Sequence, residues 1–318
     1  MLRLIYLLFL ILFSFQTVAH AYWIWTPKSK KWTNPNSSVK DSPKEQFVWA
    51  KTFFENRELK RAYKEFLKLV REYPKSSYAP EALYYTGECL LKMKKYYDAF
   101  LQYQKMIEKY PGAKRLNDVI AKQMQIGNYF FHRKDYKIAG KSIPRSYDYP
   151  IEVYRQVLKN APYSKYADHA QFYLAESYRI SSKFDEAIQA YEALVEAFPE
   201  SPYVAESRYK IALSSSGSSL EYAYTDKERD KAIKNFEEYM VQNNQMPRVN
   251  LARKEMKELK RKDAEKLYGI ARQYDKRKIY KASLFYYQDF YKKYPNSDMA
   301  ETAQKRIEVL QDMVLSIK

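Results

Sequence analysis

His132 and His169 are the side chains best suited to move protons or hold a metal near neutral pH. A metalloprotease would set a second histidine one helical turn from the first with a glutamate beside it, and no HExxH is present. The two imidazoles fall on separate helical segments, and the remaining one, His20, lies in the N-terminal leader. Cys89 is the single cysteine, so neither a CxxC pair nor an internal disulfide can form. It reads as a half-buried small side chain in a helix. Glu237 and Glu238 resemble a carboxylate pair, but neighbours on a helix point apart and are solvated. There is no GxSxG elbow and no glycine loop to cradle phosphate. Residue types and spacing give no catalytic residue, no metal site and no cofactor. The chain reads as something other than an enzyme.

The elements that carry these residues are helical. Only 6 glycines stand against 33 tyrosines in 318 residues, 46% of which are hydrophobic, and β-branched runs are few. The formal charge of +18 suits acidic partners. The leader "MLRLIYLLFLILFSFQTVAHA" bears one basic residue, Arg3, an apolar run from Leu4 to Phe13, and the small-x-small end Ala19-His20-Ala21. It reads as a signal peptide, residues 1–21, cut before Tyr22; the run is short for a membrane span, though an uncleaved anchor is the alternative. That predicts a periplasmic protein, with no nucleic acid as partner.

A repeated phrase sets the architecture. "YPKSSYA" from Tyr73, "APYSKYA" from Ala161, "FPESPYV" from Phe198 and "YPNSDMA" from Tyr294 share a proline followed by a serine two places on. Pro74 to Pro111 and Pro162 to Pro199 are each 37 residues. Ahead of the prolines lie small residues at Ala50, Gly87, Gly127, Ala175, Ala212 and Ala271, and second small residues at Ala62, Ala99, Ala139, Ala187 and Ser283. Aromatics follow at Phe66, Tyr103, Tyr191 and Tyr287; repeat three regains the frame at Tyr154 and repeat five at Ala232 and Phe236. Small residues let two antiparallel helices cross closely, the aromatic fills space towards the next pair, and proline stops the second helix. Ser76, Ser164, Ser201 and Ser297 are placed to cap the next helix. This spacing resembles the tetratricopeptide repeat. It predicts an all-α solenoid, a superhelix of about six hairpins from Lys44 to Pro295 with a capping helix from about Asp298 to Ile317, presenting a groove.

Three stretches break the pattern. "GKSIPRSYDYP" (140–150) interrupts what should be the second helix of repeat three, and "SSSGSS" (214–219) lengthens the turn of repeat five; both are either contact loops or loops without a role. The Trp/Pro-rich segment 22–43 reads as an extended linker holding Trp23, Trp25 and Trp32 among Lys28, Lys30 and Lys31. Its indoles lie at a membrane surface or clamp the first hairpin.

The C-terminal run "LARKEMKELKRKDAEKLYGIARQYDKRKIYKASLFYYQDFYKKYPNSDMAE", with "AIKNFEEYM" before it, resembles the BamD family over roughly residues 199–310. The resemblance implies a periplasmic scaffold at the inner face of the outer membrane, in two parts: 44–200, hairpins offering a groove to unfolded outer-membrane proteins, and 201–318, BamD-like hairpins docking a BamA-like barrel insertase and other assembly-complex subunits. The chain departs from that family in lacking a lipid-bearing cysteine after the leader and in carrying extra N-terminal hairpins. Another periplasmic repeat adaptor, such as a Tol-Pal-associated cell-division coordinator, shares the repeated phrase; no heptads of its usual coiled coil are present. A lytic enzyme's helical superstructure would need a catalytic glutamate motif that is missing.

In this repeat the first-helix residues one and four after the small residue, and three before it, face the groove. That selects Phe47, Lys51, Phe54, Tyr84, Glu88, Leu91, Met124, Asn128 and Phe131 as peptide contacts, or as residues packed within the stack. Tyr268, Arg272 and Asp275 hold the same face of the last repeat and are assigned to the insertase.

Overall fold

Thirteen α-helices and two short β-hairpins make up the regular structure of the described residues. These are 23–26, 31–33, 38–133, 136–138, 141–143, 146–221, 226–243 and 248–316 of a computed structural model. Strands β1 (Ile24–Thr26) and β2 (Lys31–Thr33) precede α1 (Pro43–Glu55), α2 (Leu59–Glu72), α3 (Tyr78–Lys92), α4 (Tyr96–Lys109) and α5 (Leu116–His132). Then come β3 (Tyr136–Ile138), β4 (Lys141–Ile143), α6 (Asp148–Asn160), α7 (Ala167–Ile180), α8 (Phe184–Ala197) and α9 (Val204–Glu221). The chain continues through α10 (Asp226–Gln242), α11 (Val249–Lys276), α12 (Tyr280–Lys293) and α13 (Ala300–Ser316). The helices pair in order as six hairpins, with α13 laid on α12 as the cap. The fold class is all-α and the architecture a tetratricopeptide-type array.

The repeated proline acts on the backbone as its covalent geometry requires. Tyr73, Tyr110, Ala161, Phe198 and Tyr294 each precede a proline and leave the helix with φ between −149 and −124 and ψ between 52 and 65. Each still donates its N–H to the carbonyl four residues back, so the last turn closes. The serine that follows acts one step earlier than expected. Ser76, Ser164, Ser201 and Ser297 accept the N–H two residues ahead, at 3.2 to 3.4 Å, before the helix proper begins. Within hairpins the tight turns place one residue in the left-handed region: Arg57, Lys94, Ser182 and Lys278, with φ near 60.

The small and aromatic positions meet inside each hairpin. A Cβ built on Gly87 would lie 2.4 Å from the Tyr103 ring, and one on Gly127 would lie 2.7 Å from Tyr154. The aromatic therefore covers its own hairpin's first helix, rather than only the space towards the next. Tyr103 Oη donates to Glu88 Oε1 at 2.6 Å, Tyr154 Oη to Asn128 Oδ1 at 2.7 Å, and Tyr191 Oη to Glu176. Ser283, at the second small position, donates to the Ala271 carbonyl at 3.1 Å, which fixes how close that crossing is.

The described residues form two compact units, divided between Val119 and Ile120 inside α5. Three sequence expectations change. The 140–150 insertion does not break the second helix of repeat three: β3 and β4 pair antiparallel, Lys137 opposite Ser142, ahead of α6. Ala139 thus falls between those strands, outside the described residues, and buried Pro150 takes the place four before Tyr154. "SSSGSS" is not a turn; it lies within α9, where a Cβ on Gly217 would lie 2.7 Å from the Phe184 ring. Segment 22–43 is not simply extended, since β1 and β2 pair with Trp25 opposite Trp32. At its end Ser42 Oγ accepts the Glu45 N–H and Pro43 opens α1. The leader and its cleavage point lie outside the described residues, among which no helix is long and apolar enough to cross a membrane.

Two glycines separate propensity from packing. Gly269→Ala, with nothing within 4 Å of the new Cβ, gains about 1 kcal/mol in urea unfolding, the usual glycine-to-alanine gain in a helix. Gly87→Ala forces the buried Tyr103 ring aside and loses about 1–3 kcal/mol despite the same propensity gain. Equal shifts for both would contradict the crossing geometry.

Candidate functional site

In the first unit, α1 and α3 bring aromatic and basic groups onto one face. Tyr85 is its centre: its ring stacks on Phe66 at 5.2 Å and meets Phe54 at 5.2 Å, Phe47 at 5.8 Å and Tyr84 at 5.5 Å. Lys51 Nζ lies 4.1 Å from that ring's centroid and donates to Tyr85 Oη at 3.0 Å. Lys92 reaches over Phe54 at 5.5 Å. Arg115 covers Tyr84 at 4.7 Å while its Nε donates to both Glu81 oxygens at 2.8 and 2.9 Å. Burial and the nearby Glu88 push the Tyr84 phenol up to about 12. The Tyr84 ring is thus neutral, half-buried and held against movement.

The predicted groove residues divide. Lys51, Phe54, Tyr84 and Leu91 are half-buried on this face and reachable by a partner. Phe47 is spent on packing, with rings of Phe66, Tyr78 and Tyr85 all within 5.8 Å. Glu88 is held by the Tyr103 hydroxyl. Tyr85 was not selected, yet it organises the face. It stands two residues before the small position, and so does Tyr173 in repeat four, so a hydroxylated ring at that offset was the sequence signal.

In the second unit, Met124 and Phe131 are buried, at 4% and 8% exposure, so they belong to the stack and not to an open groove. Asn128 Oδ1 accepts from Tyr154 Oη at 2.7 Å and faces His169 Nε2 at 3.3 Å. His169 Nδ1 is 3.0 Å from Tyr203 Oη. If Nε2 carries the proton, His169 donates to Asn128 and accepts from Tyr203, and every group is satisfied. Burial holds the His169 pKa below its ordinary value, with Asp168 opposing and His132 assisting. The histidines are not isolated as expected: Tyr173 lies 4.6 Å from His169 and 5.7 Å from His132. His169 packs between Tyr173 and Tyr203, and His132 lies at the exposed edge of the same ring cluster.

Two charged centres tie this unit. Glu176 receives Arg179 Nη2 at 2.9 Å, Tyr191 Oη, and Lys210 Nζ at 3.3 Å. Burial alone would raise its pKa, but Arg179, Tyr191 and Lys210 hold it below the ordinary value. Arg229 Nη1 donates to Asp263 Oδ1 at 2.7 Å with both side chains buried, and Tyr294 Oη takes the other Asp263 oxygen.

At the last repeat the structure does bring Tyr268, Arg272 and Asp275 together, around a surface cavity of about 360 Å³ shared with Lys276, Tyr287 and Arg306. Asp275 is committed: Arg306 Nε and Nη2 each donate to it at 2.7 Å, which fastens α13. Arg272 is exposed on the same surface. Cys89 is fully buried, not half-buried, and burial first, then Glu88, pushes its thiol up to about 12. Among the described residues no group of three His, Cys, Asp or Glu is placed to hold a metal.

These repeating hairpins and their exposed aromatic face define a repeat scaffold of the protein-binding type. Tetratricopeptide-repeat models match residues 81–113, 151–202 and 267–297, so those stretches carry that repeat. Among solved structures, YrrB, described as a tetratricopeptide-repeat protein with an unusual peptide-binding site, is 15% identical (TM-score 0.34, 66% of this chain, 90% of that one). A tetratricopeptide repeat protein from Parabacteroides merdae is 11% identical (TM-score 0.33, 86% and 100%). MamA from Desulfovibrio magneticus is 15% identical (TM-score 0.31, 66% and 99%). No curated protein matches the chain.

The two titrating groups set a pH dependence. His169 is neutral in the fold, so its contribution is present above the unfolded pKa of about 6.5 and fades as pH falls below it. Glu176 is ionised in the fold, so its contribution is present above about 4.5 and fades below that. Urea midpoints should therefore fall in two steps on acidification, His169→Gln removing the first and Glu176→Gln the second. Midpoints flat between about pH 7 and pH 5 would overturn the His169 assignment.

Proposed function

We propose that this chain is a periplasmic scaffold of the outer-membrane β-barrel assembly type, holding extended client segments on the α1–α3 face and docking a barrel insertase through the α11–α13 face. The observation that carries the reading is the row of half-exposed Phe54, Tyr84, Tyr85 and Lys51. Rings fixed by neighbours accept an apolar side chain with little loss of rotamer freedom, and Lys51 and Arg115 orient acceptors on the client. Strand segments of barrel proteins alternate apolar and polar side chains, which suits an aromatic strip edged by cations. The second face offers Arg272, Tyr268 and Lys276 around one cavity, a charged surface for a folded partner.

The β1–β2 hairpin supplies a membrane contact in this reading. Trp25 and Trp32 are cross-strand partners, with rings 6.0 Å apart, and Trp23 is two residues from Trp25, so the three indoles share a face. They are 59%, 46% and 63% exposed in sequence order, not clamped onto the first helical hairpin. Indole favours the bilayer interface.

The two faces should be separable. Phe54→Ala with Tyr84→Ala weakens binding of a labelled barrel-strand peptide about tenfold while leaving insertase recovery unchanged, and Arg272→Glu does the reverse. Loss of both activities in either variant would contradict two independent sites. For the hairpin, vesicles containing anionic lipid should shift tryptophan emission to the blue, and Trp25→Ala with Trp32→Ala should abolish the shift; an unmoved spectrum rules the contact out.

A further inference from the structure

The second helices of the first unit carry a different surface. Helices α2 and α4 lie beside a furrow of about 720 Å³ floored by Leu67, Val70 and Pro74. Its walls are cationic: Lys64, Lys68 and Arg71 from α2, and Lys105 and Lys109 from α4. The residues sit at helical spacing, 64, 68 and 71 on one wall and 105 and 109 on the other, so each wall is a stripe along its helix. Towards the hairpin turn a second hollow of about 450 Å³ shares Lys64 and adds Lys60, Lys95 and Leu101, with Asp98 its one carboxylate. The two hollows follow one another along α2 and α4, helices of 14 residues and about 20 Å each.

Internal partners absorb only part of this charge. Lys68 is held by Glu65 and Arg71 by Glu72, each at 2.7 Å. Lys64 and Lys105 are exposed and form no ion pair with any described residue. Leu101 is 42% exposed in the same hollow. Like charges gathered along an apolar floor repel one another, an arrangement that an opposite charge relieves.

We infer that the α2–α4 furrow is a docking site for an acidic amphipathic helix of a partner protein. A helix with carboxylates every three or four residues meets both cationic walls while its apolar stripe covers Leu67, Val70 and Leu101. The shape decides between anionic sources. A bilayer presents a flat surface that cannot reach the floor of a furrow between two helices. A single phosphate would need converging cations, and these are strung out along a helix. The site is separate from the aromatic face and stands or falls without the proposed function.

The test is fluorescence anisotropy of the full chain with a labelled 16-residue peptide bearing glutamates at i, i+4 and a leucine stripe. The expected result is binding that weakens as salt rises, about tenfold weaker in Lys64→Glu/Lys105→Glu, and changed less than about twofold in Lys254→Glu, an exposed lysine of α11. All three substitutions are on exposed side chains, so far-ultraviolet circular dichroism should match the native chain. No binding, or equal loss in Lys254→Glu, would overturn the site as mere net charge. So would vesicles with anionic lipid, or a single-stranded oligonucleotide, binding through Lys64 and Lys105 when the peptide does not.

Discussion

A buried aromatic ring laid on a small residue of the first helix is the contact on which the hairpins depend. At Gly87 the Tyr103 ring occupies the space a Cβ would need, and at Gly127 the Tyr154 ring does the same. The two helices can approach only because the first is stripped of its side chain there. Their separation in turn sets where every other residue of the pair can reach. The contact has a polar end as well. Burying a phenol without a partner is costly, and Glu88, Asn128 and Glu176, each next to the small residue, accept the hydroxyl. Small residue, acceptor and tyrosine therefore work as one device, apolar at the ring and hydrogen-bonded at its tip.

From that seam the stack grows by ties of about one repeat's length. In the first unit Tyr110 donates to the Pro74 carbonyl at 2.8 Å and Arg115 grips Glu81, each pair separated by one repeat. In the second unit Ser201 donates to Asp168 at 2.7 Å and Arg306 closes on Asp275. Stability in such arrays is a sum of repeats and their neighbour interfaces. The buried Arg229–Asp263–Tyr294 group is the costliest of these ties to leave half-made. Removing one member strands a buried charge, at about 3–5 kcal/mol, whereas an apolar replacement of the whole group can be neutral. Its value is register: it admits one seating of α10 against α11 and α12.

How much of this was legible follows from which residues carry local geometry. The prolines and the small residues act through their own backbone or their own lack of volume, so spacing alone located the six hairpins and the capping helix. Spacing misled in repeat three, where Pro150 and not Ala139 stands four residues before Tyr154 on α6. The chain there spends its extra length on β3 and β4 before Pro150 resumes the frame. "SSSGSS" misled because serine and glycine favour turns in isolation, while here Gly217 is required by the Phe184 ring and Ser214 and Ser215 are buried. At the site, Lys51, Phe54 and Tyr84 follow from helix phase. Met124 and Phe131 take the second of the two roles open to them, packing within the stack, because phase gives direction and not depth: Tyr147 and Tyr173 cover the Phe131 ring.

The device also explains why the two sides of one hairpin can differ so much in chemistry. Once the small residue and the tyrosine have consumed the facing surfaces, the outward residues of first and second helices are no longer needed for packing. First helices are free to gather rings, as α1 and α3 do around Tyr85. Second helices are free to gather lysines, as α2 and α4 do around Leu67. Each of these second helices is held from behind by a buried aromatic, Phe66 in α2 and Tyr103 in α4. Packing is thus settled along the seam, and the lysines on the outer face stay available for a partner to neutralise.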